Sequence, residues 1–178
     1  MDFFEAVEKR YSHKEKFLSD AVPLEKLELI AKSGLAAPSG NNAQSVRLII
    51  LPNREILQLL YDLSPHGGLM TAPAAIAVIT DSSTQTGELN FEIEDYSAAV
   101  ENMLLAAVAL GYVSLWLDYP YFDENNRKAA LKILGVPEKG YRLRAVLPIG
   151  LPDGSGTHRE KLPFDKRVSY GKFGGVKK

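Results

Sequence analysis

The stretch SAAVENMLLAAVALG, residues 97–111, is the part of the sequence that decides the fold. Alanine and leucine favour a helix, no proline interrupts the run, and Gly111 suits the left-handed residue that ends many helices. Asp95 and Ser97 are both candidate N-caps. Apolar residues occupy nearly every face after Asn102, so we expect protein on all sides of this central helix.

A helix of this kind is difficult for one small domain to bury alone. The chain has 178 residues, which fits a single domain over residues 1–178 with an extended tail from about residue 151. One face of the central helix is therefore expected to meet a second copy of the chain in a homodimer. The alternative is a central helix inside a monomeric core. The run is too short for a membrane span and contains Glu101 and Asn102.

Composition excludes several classes of function. The net charge of -1 gives no electrostatic reason to expect binding to nucleic acid or to an anionic membrane. The absence of cysteine excludes disulfides, thiolate metal sites and cysteine nucleophiles, and no metal site is expected. The first residues, MDFFE, lack the basic and then apolar pattern of a signal peptide, so we expect a cytoplasmic location.

Hydrophobic periodicity and turn residues predict an α/β (α+β) fold with one mixed sheet between helices. Besides the central helix, helices are predicted at residues 2–10, 23–36 and 123–134, with a short helix after Asn53. Buried strands are predicted at residues 46–51 and 74–80, and further strands at 112–118 and 143–149. Residues 65–68, PHGG, are predicted to form a loop that approaches a ligand, and residues 81–90 a polar, mobile segment.

A basic segment, KRYSHK at residues 9–14, follows the first helix. Arginine offers a fork of donors, lysine a mobile charge and serine a short donor, a combination that suits a phosphate group. The same residues also suit a solvated helix end, where cations complement the negative helix terminus. Composition alone leaves both interpretations open.

A polar loop, APSGNNAQ at residues 37–44, follows the second predicted helix. Its amides can both donate and accept hydrogen bonds, as a heterocycle with alternating N–H and C=O groups requires. The alternative is an ordinary turn rich in Pro, Ser, Gly and Asn. Five aromatic residues within 112–122 could cover a flat ligand, although aromatic residues also cluster in cores.

These pieces, in this order, resemble the FMN-dependent nitroreductase family. Residues 10–14 look like the family's Arg-x-Ser-x-Arg/Lys phosphate motif, and residues 37–44 match its Ala-Pro-Ser-x-x-Asn-x-Gln loop. The central helix followed by Trp116 is similar to its Leu-x-x-Ala-x-x-x-Gly-x-x-x-x-Trp segment. Two further landmarks are LGVP at residues 134–137 and PIGLP at 148–152. Arg159 and Lys161 ahead of Pro163 resemble the C-terminal phosphate contact.

The resemblance implies a homodimer formed through the central helix, with FMN in two symmetric sites at the interface. It implies that the phosphate is held by basic residues from both chain ends, and that the isoalloxazine ring is lined by the polar loop of the partner subunit and covered by backbone around residues 117–119. The candidate cofactor-binding residues are Arg10, Tyr11, Ser12, Lys14, Pro38, Ser39, Gly40, Asn42, Gln44, Leu117, Asp118, Arg159 and Lys161.

The implied activity is transfer of two electrons from NADH or NADPH to a nitroaromatic, quinone or similar small-molecule acceptor. The flavin carries the hydride chemistry, so no catalytic protein residue is required. The sequence departs from the family where Asp118-Tyr119-Pro120-Tyr121 stands in place of a Glu-Gly pair, which bears on nicotinamide binding. Two alternatives stay open: other flavin chemistry, such as dehalogenation or flavin cleavage, and a non-catalytic flavin-binding protein.

The tail from residue 151 is rich in glycine and proline and has little core of its own. It combines basic residues with apolar anchors, and we expect it to lie against another part of the fold or another subunit. Its basic residues include Arg159, Lys161, Lys166 and Arg167, and its anchors are Tyr170, Phe173 and Val176.

Overall fold

The computed structural model describes residues 1–84 and 89–177. Its helices are α1 (Phe3–Lys9), α2 (Leu24–Leu35), α3 (Arg54–Leu63), α4 (Gly67–Thr71), α5 (Glu92–Ala109) and α6 (Glu124–Ile133). Its strands are β1 (Val46–Leu51), β2 (Ala74–Asp81), β3 (Val113–Ser114) and β4 (Tyr141–Gly150). The strands form one sheet in the order β1-β2-β4-β3, and neighbouring strands run antiparallel.

Strand β2 contributes to two hydrophobic cores, one on each face of the sheet, because successive side chains of a strand point to opposite faces. Ile76 and Val78 belong to the core that contains residues of α2 and α5. Ala77 and Ile79 belong to the core that contains residues of α3 and α6. Every residue of β2 is buried. The prediction of an α/β fold with one sheet between layers of helices is therefore confirmed, although the described strands pair antiparallel and do not form the mixed sheet that was expected.

Helix α5 is the predicted central helix, but it begins earlier than predicted. Its first residue is Glu92 and the N-cap position is Phe91, so neither Asp95 nor Ser97 caps it. Asp95 is 2% exposed inside the helix. The prediction failed because Glu92 and Asp95 are polar residues whose partners lie on distant parts of the chain. Tertiary contacts of this kind leave no periodic signal.

One face of α5 is not covered within the protomer. Val100, Met103 and Ala107 are buried against α2 and the sheet, whereas Ile93 is 61% exposed and Ala109 is exposed. The protomer alone therefore does not surround this helix with protein, and a second polypeptide would be needed to cover the exposed face. The homodimer interface on this face remains a prediction.

The sheet differs from the prediction at two strands. Strand β1 lies at an edge of the sheet and is mostly half-buried instead of buried. The third strand is only Val113–Ser114, and residues 112–118 rejoin the sheet through a single bridge between Leu117 and Val146. Short aromatic and apolar runs resemble longer strands in sequence, because they share the same residue types.

Two predicted loops also differ from the structure. His66 is the N-cap of α4, so residues 65–68 form the start of a short helix instead of a loop. In the predicted mobile segment, Asp81 ends β2 and Ser82–Thr84 form a 3₁₀ turn. The prediction for residues 85–88 lies outside the described residues.

The C-terminal tail leaves the sheet beside the N-terminal segment. Leu18 N–H donates to the carbonyl of Leu151 at 2.9 Å, and Asp153 N–H donates to the carbonyl of Lys16 at 2.9 Å. Beyond this anchor the described tail is largely exposed, including Phe173 at 102%. Among the described residues, the helices are too short or too polar to cross a bilayer.

Candidate active site

A cavity of about 560 Å³, which we call the basic pocket, lies between the two ends of the chain. Its lining joins residues just after α1 to residues of the C-terminal tail. Six of the predicted cofactor-binding residues are among them. The lining residues are Arg10, Tyr11, Ser12, Lys14, Glu15, Gly156, Thr157, His158, Arg159 and Lys161.

Helix α1 fixes where the basic segment begins. Asp2 and Glu5 form a capping box at its start, with the Glu5 N–H donating to Asp2 at 3.0 Å. Arg10 is the C-cap residue, and its extended backbone directs the chain away from the helix. The Arg10 guanidinium forms an ion pair with Glu101 of α5 at 3.4 Å. The first cation of the pocket is therefore held at the junction of α1 and α5.

The next residues run extended beside β3. Ser12 forms a parallel bridge with Ser114, and His13 N–H donates to the Ser114 carbonyl at 3.0 Å. Side chains of an extended chain alternate in direction, and here Ser12 and Lys14 are exposed while His13 is fully buried. The bridge thus presents a hydroxyl and an ammonium group on the same side of the segment.

His13, in the middle of the basic segment, does not line the basic pocket. Its Nε2 lies 2.9 Å from the carbonyl oxygen of Lys16, which can only accept, so Nε2 carries the hydrogen. Its ring packs edge-on against Phe17, with the ring centroids 4.6 Å apart. His13 therefore anchors the segment to the core.

Tyr11 forms the wall between the basic segment and the tail. Its ring centroid lies 5.1 Å from that of His158, and a Cβ on Gly156 would lie 1.9 Å from a Tyr11 ring carbon. Only glycine allows the tail to approach so closely. Burial raises the pKa of Tyr11, an effect that the Gly156 backbone partly offsets, so its hydroxyl stays protonated at neutral pH.

His66 lies near the basic pocket without lining it. Its Nδ1 accepts from the N–H of Gly68 at 3.2 Å, which leaves Nε2 as the protonated nitrogen of the neutral ring. Burial, and then the positive charge of Lys14, lower the pKa of His66. A Cβ on Gly67 would lie 3.3 Å from the Lys14 carbonyl oxygen. The start of α4 is therefore packed against the basic segment.

A second cavity of about 390 Å³ lies beside the polar loop, and we call it the polar-loop pocket. It contains three of the predicted flavin-lining residues, Pro38, Ser39 and Gln44. Gly40 and Asn42 belong to the same loop but do not line the cavity. The lining residues are Gly34, Leu35, Ala37, Pro38, Ser39, Gln44, Val46, Arg47, Leu48, Asp95 and Ala99.

The polar loop has an unusual backbone. Asn41, Asn42 and Gln44 have φ values of 53°, 54° and 50°, the left-handed region that residues with side chains seldom adopt. Ser39 closes the loop by accepting the N–H of Asn42 at its carbonyl and the N–H of Gln44 at its hydroxyl, both at 3.0 Å. Among hydrogen bonds between described residues, the amide side chains of Asn42 and Gln44 take no part. They are exposed and available to a ligand.

Asp95 is the residue at this site that sequence reasoning missed. Its two carboxylate oxygens accept from the Gly40 N–H at 2.7 Å and from the Ser45 hydroxyl at 2.6 Å. The only signal in the sequence is an acidic residue at the start of a helix that is otherwise apolar. That signal predicted a cap, because N-caps are the commonest role for aspartate there.

Leu117 and Asp118 lie apart from both pocket linings. Leu117 is 3% exposed, and its backbone exchanges two hydrogen bonds with Val146 at 3.2 Å and 2.9 Å. Asp118 precedes a 3₁₀ turn at Tyr119–Tyr121. The predicted aromatic cluster is divided, because Tyr121 is buried in the core while Tyr119 and Phe122 are 78% and 66% exposed.

Within one protomer the predicted site is therefore divided into two groups. The basic pocket gathers the residues suited to an anion, and the polar-loop pocket gathers those suited to a heterocycle. The two linings share no residue. The structure thus combines one antiparallel sheet between helix layers with a basic pocket formed by both ends of the chain.

The chain belongs to the nitroreductase family, because the model of that family matches residues 7–67 and 60–151. Together these matches span most of the chain, including the basic segment, the polar loop and the whole sheet. The sequence-based identification of the family is thus confirmed. Family membership supports an oxidoreductase class for the chain.

Three similar proteins illustrate the relationship. Two archaeal proteins, both named "Putative NADH dehydrogenase/NAD(P)H nitroreductase", match most of the chain. That of Archaeoglobus fulgidus is 36% identical over 129 residues, covering 72% of this chain and 73% of its own length. That of Methanothermobacter thermautotrophicus is 32% identical over 168 residues, covering 93% and 85%. The crystal structure of a "putative nitroreductase in complex with FMN" from Desulfovibrio desulfuricans superposes with a TM-score of 0.81 at 26% identity, covering 94% of this chain and 95% of that one.

Proposed function

We propose that this chain is an FMN-dependent oxidoreductase that takes two electrons from NADH or NADPH and passes them to a nitroaromatic, quinone or similar small acceptor. The observation that carries the proposal is the basic pocket, where Arg10, Ser12 and Lys14 meet Arg159 and Lys161. The names of its relatives, which include an NAD(P)H nitroreductase and an FMN complex, support the same cofactors.

The residues of the basic pocket fit the phosphate of FMN. Two carboxylates offset part of the positive charge of its four cationic side chains: Glu15 lies in the lining, and Glu101 is paired with Arg10. Two positive charges remain, which match a phosphate dianion, and the Ser12 hydroxyl adds a short neutral donor. Charge-assisted hydrogen bonds from arginine and lysine are the strongest contacts that a protein offers to phosphate.

The isoalloxazine ring is proposed to rest against the polar loop of a second copy of the chain. Pro38, Ser39, Gly40, Asn42 and Gln44 would line it, with the exposed amides of Asn42 and Gln44 facing its hydrogen-bonding edge. The separation of the two pockets within one protomer supports a site assembled from two chains. We extend the proposal to a single FMN-binding domain over residues 1–178.

A homodimer is supported by apolar surface that the protomer leaves uncovered. Clusters of large exposed apolar side chains mark interaction surfaces in soluble proteins. Here several large exposed apolar side chains belong to the two chain ends, which also form the basic pocket. The exposed side chains at these ends are Phe3, Phe4, Leu162, Phe164, Phe173 and Val176.

When bound, FMN would supply hydride chemistry at its ring, and the protein would supply binding, orientation and exclusion of water. Arg10, Lys14 and the tail cations would hold the phosphate. The polar loop would fix the orientation of the ring and leave one face open to the nicotinamide and then to the acceptor. Electron donor and acceptor would thus use the same site in turn.

A second candidate is a family member with other flavin chemistry, such as dehalogenation or flavin cleavage. Asp118 and Tyr119 stand where related oxidoreductases have a Glu-Gly pair, and Tyr119 is 78% exposed beside Phe122. The absence of that Glu favours chemistry that does not depend on nicotinamide binding. A non-catalytic flavin-binding protein is the third reading, since it needs the same two pockets.

One experiment separates these readings. The protein is purified, offered FMN, and its absorbance is recorded under argon before and after NADH or NADPH. We expect a bound flavin spectrum that bleaches on addition of the reductant and returns with menadione or a nitrofuran. Bound flavin that neither reductant bleaches would favour the non-catalytic reading, and bleaching without turnover of these acceptors would favour other chemistry. Absence of bound flavin would contradict the proposal.

A further inference from the structure

The buried carboxylate of Asp95 has no cationic partner among the salt bridges between described residues. The side chain of Glu92, one turn earlier on the same helix, is paired with Arg144. Asp95 instead relies on two hydrogen bonds and on the positive end of the helix. A buried charge without such contacts is strongly unfavourable. These two hydrogen bonds therefore stabilise the buried carboxylate and also hold the loop residues that donate them.

The two bonds flank the strained part of the polar loop. Asp95 holds Gly40 through one oxygen and Ser45 through the other, and Asn41, Asn42 and Gln44 lie between them with positive φ. Non-glycine residues stay in this region only where surrounding contacts hold them there, and such residues concentrate at ligand sites. The loop's internal hydrogen bonds close it, and from β1 the Arg47 guanidinium donates to the Gln44 carbonyl at 2.7 Å.

The loop is attached to α5 at a short distance. A Cβ on Gly40 would lie 2.2 Å from the ring of Phe91, at the N-cap of α5, so glycine is needed there. At the other end, the Ser45 carbonyl accepts the Asp81 N–H at 2.8 Å, which joins the loop to β2. Asp95 also lines the polar-loop pocket. One buried side chain thus connects the loop, the helix and the cavity.

We infer that Asp95 is a positioning residue that holds the polar loop in the conformation that receives the flavin ring. This inference rests on the proposed function. Asp95 uses both oxygens within the protein, so it acts through the loop and not by contact with the ring. An apolar residue would suit the buried face of α5, where Ala99 and Val100 follow, but it would leave the Gly40 N–H and the Ser45 hydroxyl without their acceptor, so the carboxylate serves the loop.

The test compares two variants of the protein. Each variant removes a hydroxyl group that donates to a different buried carboxylate of α5. Ser45→Ala removes the hydroxyl bonded to Asp95, and Thr80→Val removes the hydroxyl bonded to Glu92 at 2.7 Å. Asp95→Asn is a milder change, because its amide oxygen can still accept from Gly40 while its NH₂ group donates to Ser45. Asp95→Ala removes both bonds. Ser45→Ala carries the test if Asp95→Ala fails to fold.

Three readouts are measured for each variant: the FMN dissociation constant by flavin fluorescence, the thermal midpoint of the apoprotein, and hydrogen exchange of a peptide covering residues 38–46. We expect Ser45→Ala to weaken FMN binding by about tenfold, the effect of one charge-assisted hydrogen bond, and to speed exchange in the loop, and we expect Asp95→Asn to have a smaller effect on both. Thr80→Val is expected to lower the thermal midpoint while FMN affinity and loop exchange stay at wild-type values.

Two outcomes would overturn the inference alone. One is FMN bound by the Asp95 and Ser45 variants as tightly as by the wild type. The other is a loss of affinity that simply follows the thermal midpoint, with Thr80→Val affected equally. A wild-type protein that binds no FMN would instead overturn the proposed function, and this inference with it.

Discussion

The Nε atom of Arg10 lies 3.4 Å from a carboxylate oxygen of Glu101, which joins the end of α1 to the middle of α5. The two side chains are 24% and 47% exposed, so solvent reaches the pair and weakens it. The guanidinium is thus held at the edge of the basic pocket by a partner that an incoming phosphate can replace. The proposed phosphate contact and the packing of α1 on α5 would then share the same arginine.

Replacing Arg10 with alanine is expected to weaken FMN binding by roughly 1.5–3 kcal/mol, the contribution of one charge-assisted contact. Fluorescence titration of the apoprotein with FMN measures this change. Glu101→Gln is the matched control, because it keeps Arg10 and removes only the competing carboxylate, so FMN binding should be equal or tighter. Unchanged flavin retention in Arg10→Ala would show that the phosphate is held elsewhere.

The pKa of His66 should rise when FMN binds. Burial and the charge of Lys14 lower this pKa in the free protein, and a phosphate dianion at Lys14 would offset the second of these causes. NMR titration of the histidine ring protons in the free and FMN-loaded protein measures the change. A His66 pKa that is the same in both forms would place the phosphate away from Lys14.

The same lowered pKa has a consequence for the stability of the free protein. His66 binds a proton less readily when folded than when unfolded, so its contribution to stability is lost as the pH falls through the unfolded value of about 6.5. Thermal unfolding of the apoprotein should therefore show a decline below that pH, and His66→Asn should reduce the decline. If the thermal midpoints of the wild type and His66→Asn depended on pH in the same way, the pKa of His66 would not be lowered in the folded protein.

Gly40→Ala should destabilise the protein through steric overlap with Phe91. A Cβ at this position would meet the phenyl ring at 2.2 Å, and overpacking of this kind costs about 1–3 kcal/mol. Urea unfolding of Gly40→Ala, Phe91→Ala and the double variant gives the coupling between the two positions. We expect the double variant to be more stable than the sum of the single effects predicts. Simple additivity would contradict this close contact.

Phe173→Ser should weaken the proposed homodimer. Its side chain is 102% exposed in the protomer, which suits an anchor that fits into a partner. Sedimentation velocity over a range of concentrations should show a dimer dissociation constant about tenfold higher. Leu59→Ser on α3 is the control, since Leu59 is 48% exposed and α3 packs on the sheet face opposite α5. Equal effects of the two changes, or none, would contradict an interface at the tail.

The sequence was most informative where local patterns decide structure. The helices predicted after Asn53 and from Asp123 are present as α3 and α6, and these two residues cap them, because N-cap chemistry depends only on the next few residues. The apolar runs that became β1, β2 and β4 were found for the same reason. The order of the motifs identified the family although each motif was weak alone.

The remaining features depend on distant contacts. Arg144 lies in β4, a strand that was predicted from its apolar residues. Its guanidinium pairs with Glu92 and lies 5.6 Å from the centre of the Tyr96 ring. Both contacts join β4 to α5. This network places the start of α5 earlier than alanine and leucine content suggests. The contacts of Asp95 are hidden in the same way, since Gly40 and Ser45 are 55 and 50 residues away.

The division of the candidate site between two cavities that share no residue has a consequence for genetics. Suppose that each complete centre takes its anion-binding half from one polypeptide and its ring-binding half from the other. Substitutions in the two halves can then be placed on different chains of one hybrid dimer. A hybrid of an Arg10→Ala chain and an Asp95→Ala chain would combine both lesions in one centre and leave the other wild type. Co-expression of the two variants should then restore wild-type FMN affinity in one centre of each hybrid, as intersubunit complementation.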